Sequence, residues 1–475
     1  MLFLLENLAS FAKKIWVLLI LIPCTGISQG ISNNWISGYA CGNVPECGVS
    51  VMNFYSGFAD TSYSNIQMSF SQSNANISDS SGNLLFYTNG IYIANALNDT
   101  MVNGDSLNPN SYVNQVHYGL NVKQGDLILP MPGNPNLYYL FHETLTWYPA
   151  VGDYRVGELY YSIVDMSLDS GRGAVTQKNV ILLLDTLTVG SITGCKHANG
   201  RDWWIVVHKS QGRRYYEYLF TPTGLQGPFI QDIGYSILPR DWSWQACFSP
   251  DGNKFANVFT KDTFDLMDFD RCTGLFNNSH SIYLKDSANA RGVAFSSNSQ
   301  LMYLTSAIYM YQFNLNMTPI DSSKFLVGKA ETFADPIPPF YTAFYLSQLM
   351  NDNKIYISCG NGTRIFHVIN HPNQSGLNCD FLQHSFQLPT YSINTLPNFP
   401  NYFLGKEVGS ICDSLPSIIG HTNGEQERHG SERLPVRLIS DNRGIDICPI
   451  RDDYDEKKTY QYFLRMTSES IMKPE

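Results

Sequence analysis

Asn199-Gly-Arg-Asp-Trp-Trp-Ile-Val-Val207 and Asp251-Gly-Asn-Lys-Phe-Ala-Asn-Val258 decide the fold, because each is a polar turn that feeds directly into a short aromatic or β-branched strand. Asn-Gly and Asp-Gly supply the positive φ that a tight hairpin requires. The same phrase returns in Asp79-Ser-Ser-Gly-Asn-Leu-Leu-Phe-Tyr-Thr88, Pro135-Asn-Leu-Tyr-Tyr-Leu-Phe141, Ser297-Asn-Ser-Gln-Leu-Met-Tyr-Leu304 and Asn351-Asp-Asn-Lys-Ile-Tyr-Ile357. With Leu84, Leu137, Trp203, Phe255, Met302 and Ile355 as strand starts, successive copies stand 53, 66, 52, 47 and 53 residues apart. A period of roughly 50 residues is that of a propeller blade, a four-stranded sheet that hides its faces only by stacking on its neighbours around an axis. Small and apolar runs ahead of the turns, Cys247-Phe-Ser249 and Val293-Ala-Phe295, suit an innermost strand; residues 264–269 and 308–313 suit the next strands outward. No sustained 3.6-residue periodicity competes with this reading.

The expected fold is therefore an all-β, closed β-propeller of four-stranded blades, seven favoured and six the alternative. Residues 35–39 lie one period, 49 residues, ahead of Leu84 and are expected to close the ring by pairing with the last blade. Composition agrees: 43% hydrophobic, 15% charged, 29 Tyr, 27 Phe, 36 Gly and 23 Pro describe many short strands and tight turns. A net charge of −10 lacks the clustered Lys and Arg that a polyanion needs, so nucleic acid is not an expected partner.

The ends carry different chemistry. Lys13 and Lys14 precede eight apolar residues, 15–22, and then Thr25, Gly26, Ile27 and Ser28, the order of a secretory signal peptide cut before Gln29. An uncleaved anchor, or lipidation at Cys24 behind a poor lipobox, is the alternative. Residues 421–475 hold 20 charged side chains in 55 positions, against 52 in the preceding 420, so a disordered or loosely helical tail is expected there. The domains are thus a signal peptide over 1–28, a propeller over 29–420 and a charged tail over 421–475. Nine cysteines remain after export, at 41, 47, 195, 247, 272, 359, 379, 412 and 448. Cys41 and Cys47 enclose a short Gly-Pro loop and could form a disulfide, whereas Cys195 and Cys247 read as buried thiols.

Several phrases together resemble the secreted bacterial propellers loosely related to WD40-like and YVTN-type repeats, which often end in a type IX secretion sorting domain. They are Ile77-Ser-Asp-Ser-Ser-Gly-Asn-Leu-Leu-Phe-Tyr-Thr-Asn-Gly90, Leu159-Tyr-Tyr-Ser-Ile-Val-Asp-Met166, His197-Ala-Asn-Gly-Arg-Asp-Trp-Trp204, Phe248-Ser-Pro-Asp-Gly252, Met267-Asp-Phe-Asp-Arg-Cys-Thr-Gly274 and Leu396-Pro-Asn-Phe-Pro-Asn-Tyr-Phe403. The resemblance spans about residues 33–413 and implies a surface or released propeller without assigned catalytic residues. It fails after Leu415, where the charged tail replaces any Pro-Asn-Pro-like opening of a sorting domain. The periplasm is the alternative location.

Candidate chemistry is sparse. Asp79 and Gly82 approximate an Asp-box turn with one residue too many, and no arginine set or acid/base pair accompanies them. Asp265, Asp268 and Asp270 alternate as on a strand and lack an EF-hand glycine, and His367 and His371 have ligand spacing only if helical, so no metal and no cofactor is expected. The aromatic pairs Trp203-Trp204 and Trp242-Ser-Trp244, with His142, His197 and His208, are the candidate ligand-binding residues, Trp242 and Trp244 foremost because they precede an innermost strand. The expected function is noncatalytic recognition of an extracellular protein or glycan by a monomer, with the export machinery as its other partner. The runner-up is a secreted hydrolase using His142, His197, Asp202 and His208 in an axial funnel. A frameshift near residue 416 is one explanation of the tail, and resequencing the 3′ end checks it: an intact frame with the same tail removes that explanation.

Overall fold

The computed structural model describes residues 30–39, 46–54, 57–149, 152–238, 242–336, 339–413, 436–441 and 444–449. The signal-peptide segment and Cys41 lie outside these residues. Seven antiparallel sheets follow one another along the chain and form a ring, a seven-bladed β-propeller. Blade 1 is Asn34–Tyr39, Gly48–Asn53 and Asp60–Ser64; blade 2 is Ala75–Ser78, Leu84–Thr88 and Ile93–Asn95. Blades 3 to 7 each have four strands, and their innermost strands are Asp126–Pro130, Thr193–Lys196, Ser243–Phe248, Ala290–Phe295 and Phe344–Leu349.

The repeated turn sits where expected, between the first and second strands of a blade. In blade 5 the Ser249 hydroxyl accepts from Lys254 N at 2.9 Å and bonds Asp251 Oδ1 at 2.5 Å, while Gly252 takes φ +77°. Blade 6 repeats the device with Ser296, which accepts from Leu301 N at 2.9 Å. In blade 2 Asp79 Oδ1 accepts from Ser81 N and Asn83 N at 2.8 and 2.9 Å. These short side chains satisfy the turn's backbone donors locally, so the two strands can leave in register without burying an unpaired amide. All six strand starts read from the sequence lie on the second strand of their blades, at its first residue or one residue inside it.

Ring closure differs from expectation. Asn34–Tyr39 pairs with Gly48–Asn53 of its own blade, not with a strand of blade 7. It instead packs face to face on blade 7: Trp35 stacks on Phe366 at 5.7 Å and meets Tyr356 edge-on at 6.1 Å. Ser37 and Ser50 bond Ser392 and Thr390 at 2.6 and 2.7 Å. Blade-to-blade contact through buried aromatics therefore closes the ring at this joint, because apolar area removed from water does not require a shared strand.

The chain then returns through the middle. After Ser392 an extended segment runs down the axis, with Asn398 N bonded to Asn74 O and its amide donating to Asp126 O and Ile192 O at 3.0 and 2.8 Å. Tyr402 donates to Ile128 O at 2.8 Å, and Arg271 clasps the exit by donating to Gly405 O at 2.5 Å. A Cys272–Cys412 disulfide anchors the end of this segment to the third-to-fourth strand turn of blade 5. That pairing was not legible in the sequence. Cys47 is disulfide-bonded; Cys195, Cys247, Cys359 and Cys379 are free thiols. In the charged tail the described part is an antiparallel hairpin, Val436–Asp441 with Gly444–Pro449. No helix among the described residues is long and apolar enough to cross a membrane.

Trp35→Ala empties the joint between the first and last blades and is expected to cost about 3–5 kcal/mol in urea unfolding. A loss below about 1 kcal/mol would show that the ring does not depend on that contact.

Candidate functional site

The innermost strands all start at one face of the ring and end at the other, so the axis has two mouths. At the end where the innermost strands finish lies a cavity of about 500 Å³. Blades 5, 6 and 7 supply Phe248, Phe295, Ser297, Gln348 and Asn353, and the axial segment supplies the wall from Asn398 to Phe403. None of the lining side chains is ionisable apart from the Cys247 thiol, whose burial pushes its pKa far up and keeps it neutral. Several lining amides are already engaged: Asn401 donates to Pro250 O at 2.7 Å, and Asn351 donates to Asn33 Oδ1 at 2.8 Å. Gln348 donates its side-chain amide to Leu349 O and Phe399 O at 3.2 and 3.4 Å, and Asn353, whose backbone N–H donates to Met350 O, lines the cavity beside it.

At the opposite mouth the innermost strands of three consecutive blades carry the same defect. Between Ser243 and Ala246, between Ala290 and Gly292, and between Phe344 and Ser347, one extra residue interrupts the register with the second strand. Each is a β-bulge, which re-aims side chains and frees backbone groups. The freed groups bond to side-chain amides: Gln124 Oε1 accepts from Ala246 N at 2.9 Å, and Gln245 Oε1 accepts from Val293 N and Ser347 N, both at 3.0 Å. The bulges turn Trp244, Arg291 and Tyr345 toward one another and toward Lys123. The Lys123 ammonium lies 4.1 Å from the Trp244 ring centre, and the Arg291 guanidinium lies 5.6 and 5.3 Å from Trp244 and Tyr345.

Near that mouth Asp126 and Glu143 are fully buried, with both Asp126 oxygens and one Glu143 oxygen unbonded. Burial pushes Asp126 up from its ordinary 3.8 to about 7 and Glu143 well up, each by loss of water around the charged form.

The expected site residues are dispersed. Trp203 and Trp204 are buried core: Trp203 lies under Lys196 at 4.0 Å and edge-on to Tyr402 at 5.7 Å, and Trp204 donates to Arg271 O at 2.8 Å. Trp203 braces the axial segment through Tyr402, and Trp204 packs against Phe229 and Phe269; neither faces solvent. His142 is wholly buried between Asn108 and Ser162 at 2.8 and 2.9 Å, and burial pushes it down to about 3. His208, against Tyr215, is pushed down to about 4 by the same cause. Both remain neutral near pH 7. His197 bonds Cys272 O at 3.1 Å, and Asp202 pairs with Arg201 at 2.7 Å. The hydrolase set is thereby split, since His142 and His208 lie at the strand-start mouth while His197 and Asp202 flank a turn at the strand-end face. Trp242 is half-buried with its indole N–H unbonded, and only Trp244 of the expected aromatics joins a cluster. Asp265 bonds Tyr235 N and Ser281, Asp268 pairs with Lys254, and Asp270 accepts from Cys272 N, so the three share no ligand. Among the described residues no three His, Cys, Asp or Glu side chains are grouped for a metal.

No family model matches the chain, and no curated protein matches it. Its structure is similar to those of other propellers at low identity. A protein from Lactobacillus plantarum is 12% identical over 77% of this chain and 98% of its own, with TM-score 0.44. The periplasmic gluconolactonase PpgL of Pseudomonas aeruginosa is 11% identical over 77% and 99%, with TM-score 0.42. Sqt1 from Chaetomium thermophilum is 11% identical over 75% and 85%, with TM-score 0.38.

Asp126→Asn tests the buried acid. A carboxyl whose folded pKa exceeds its unfolded one holds its proton more tightly in the native state, so stability falls as pH rises from 3.8 to about 7. The variant is expected to melt higher than the parent at pH 8 and to lose most of that advantage at pH 4; an equal difference at both pH values would contradict the assignment.

Proposed function

We propose that the chain is an exported, noncatalytic recognition propeller that holds a neutral, hydroxyl-rich ligand, a glycan end, in the axial cavity. The observation that carries this reading is the cavity's size together with its lining of amide, hydroxyl and aromatic side chains and the absence of a titrating group among them. General acid–base chemistry needs a group that exchanges a proton near the working pH, and this lining offers none. Amide and backbone groups both donate and accept, which matches a sugar hydroxyl, and the Phe248, Phe295 and Phe403 rings offer apolar area for a sugar face. Export rests on the order of residues 13–28, and release or surface display on the resemblance to secreted propellers. The hydrolase reading is not favoured, because its four residues are divided between the two faces.

A glycan array probed with the purified chain, followed by titration calorimetry with the best neutral oligosaccharide, tests this. Gln348→Ala and Asn353→Ala are expected to weaken binding by about tenfold together, at about 0.5–1.5 kcal/mol per lost hydrogen bond. Retention of acidic glycans or proteins alone would overturn the neutral-ligand reading.

A further inference from the structure

We propose that the mouth opposite the cavity is a second site, which binds the oxyanion group, a carboxylate or phosphate, of a small acidic ligand between Lys123 and Arg291. Two observations meet there. Lys123 is only 8% exposed, and its ammonium rests on the Trp244 ring with no ion pair or hydrogen bond to a carboxylate among the described residues. Arg291 spends one nitrogen on Phe344 O at 3.3 Å and leaves Nε buried and unbonded. Asp126 and Glu143 are buried near the same mouth, yet no ion pair joins either to Lys123 or Arg291 among the described residues; two like charges drawn together unpaired oppose folding through desolvation and mutual repulsion, and a bound anion would offset both. Burial, with the Arg291 charge adding to it, pushes Lys123 down to about 8, so the ammonium is still mostly charged at pH 7.

The unsatisfied polar atoms of the cluster also select the ligand. Arg291 Nε and the Trp244 indole N–H are buried donors without acceptors, and the Lys123 ammonium lies 4.1 Å from the Trp244 ring centre. An ionised carboxylate or phosphate is an acceptor only, whereas a neutral hydroxyl would bring a donor of its own. The aromatic faces are already covered by the cations, at 4.1 Å for Lys123 on Trp244, so ring stacking is not the basis of recognition. Geometry favours a built site over chance: three bulges in consecutive blades are needed to bring Trp244, Arg291 and Tyr345 together, and each bulge has its freed amide satisfied by Gln124 or Gln245. Gly360 leaves room beside the guanidinium, since a Cβ there would stand 2.7 Å from Arg291 Nη1. Trp244 and Arg291 are partly exposed, so the cluster is reached from solvent.

Thermal melts and calorimetry on the full chain at pH 7 and fixed ionic strength test this with sodium phosphate, D-glucuronate, D-glucose and chloride as probes. Saturable stabilisation by phosphate or by glucuronate, with none from glucose or chloride at this mouth, is expected; which of the two saturates tells a phosphate ligand from an acidic sugar. Lys123→Met is expected to melt above the parent in anion-free buffer and to lose at least tenfold in anion affinity, and Arg291→Met to lose as much. The higher melting point keeps the loss of binding separate from misfolding. Identical curves for all four probes, or undiminished saturation in Lys123→Met, would overturn the proposal. Because Gln348 and Asn353 lie at the other mouth, glycan binding there can fail or succeed independently of this result.

Discussion

Three side-chain amides, those of Gln124, Gln245 and Asn398, hold the axis on which the remainder of the propeller depends. The innermost strands of a ring converge where there is little water, and any backbone group they leave unpaired must find a partner inside the protein. Gln124 joins Ala246 to Asn398, Gln245 joins Val293 to Ser347, and Asn398 joins the carbonyls of Asp126 and Ile192. Five of the seven blades are tied through these contacts across the axis. The face of Trp35 on Phe366 completes the circle at the rim, and the Cys272–Cys412 bridge keeps the threaded segment from withdrawing.

The same axial requirement gives the two mouths opposite character. Where the strands end, the threaded segment brings only amide and aromatic side chains, and the space left over is neutral. Where they begin, the bulges push Trp244, Arg291 and Tyr345 inward against Lys123, and the space is cationic. The net charge of −10 over the chain gives no hint of this pairing of Lys123 with Arg291, because it sums groups from every part of the molecule.

The blades were legible because their determinants are local. A Ser, Asp or Asn that satisfies the amides of its own turn, followed by an apolar strand, works within about ten residues, so the strand starts from Leu84 to Ile355 could be read directly, whereas the pairing of residues 35–39 could not. Tryptophan was informative in kind and misleading in place: Trp203 and Trp204 look like a binding pair, but both are buried, Trp203 against Tyr402, more than 190 residues away in the chain, and Trp204 on the other face of the strand against Phe229 and Phe269. The histidines misled for a related reason, since whether an imidazole is buried at pKa about 3, like His142, or open to solvent is set by the neighbouring blade.

By itself the sequence determined the all-β class, the blade period and the turns, because each rests on residues close together in the chain. Only the tertiary structure decided how the ring closes, which cysteines meet, and that Lys123, Trp244, Arg291 and Tyr345 share one mouth. Those outcomes rest on contacts across the axis between residues tens to hundreds of positions apart, and on one-residue bulges that change where a side chain points without leaving a periodic trace.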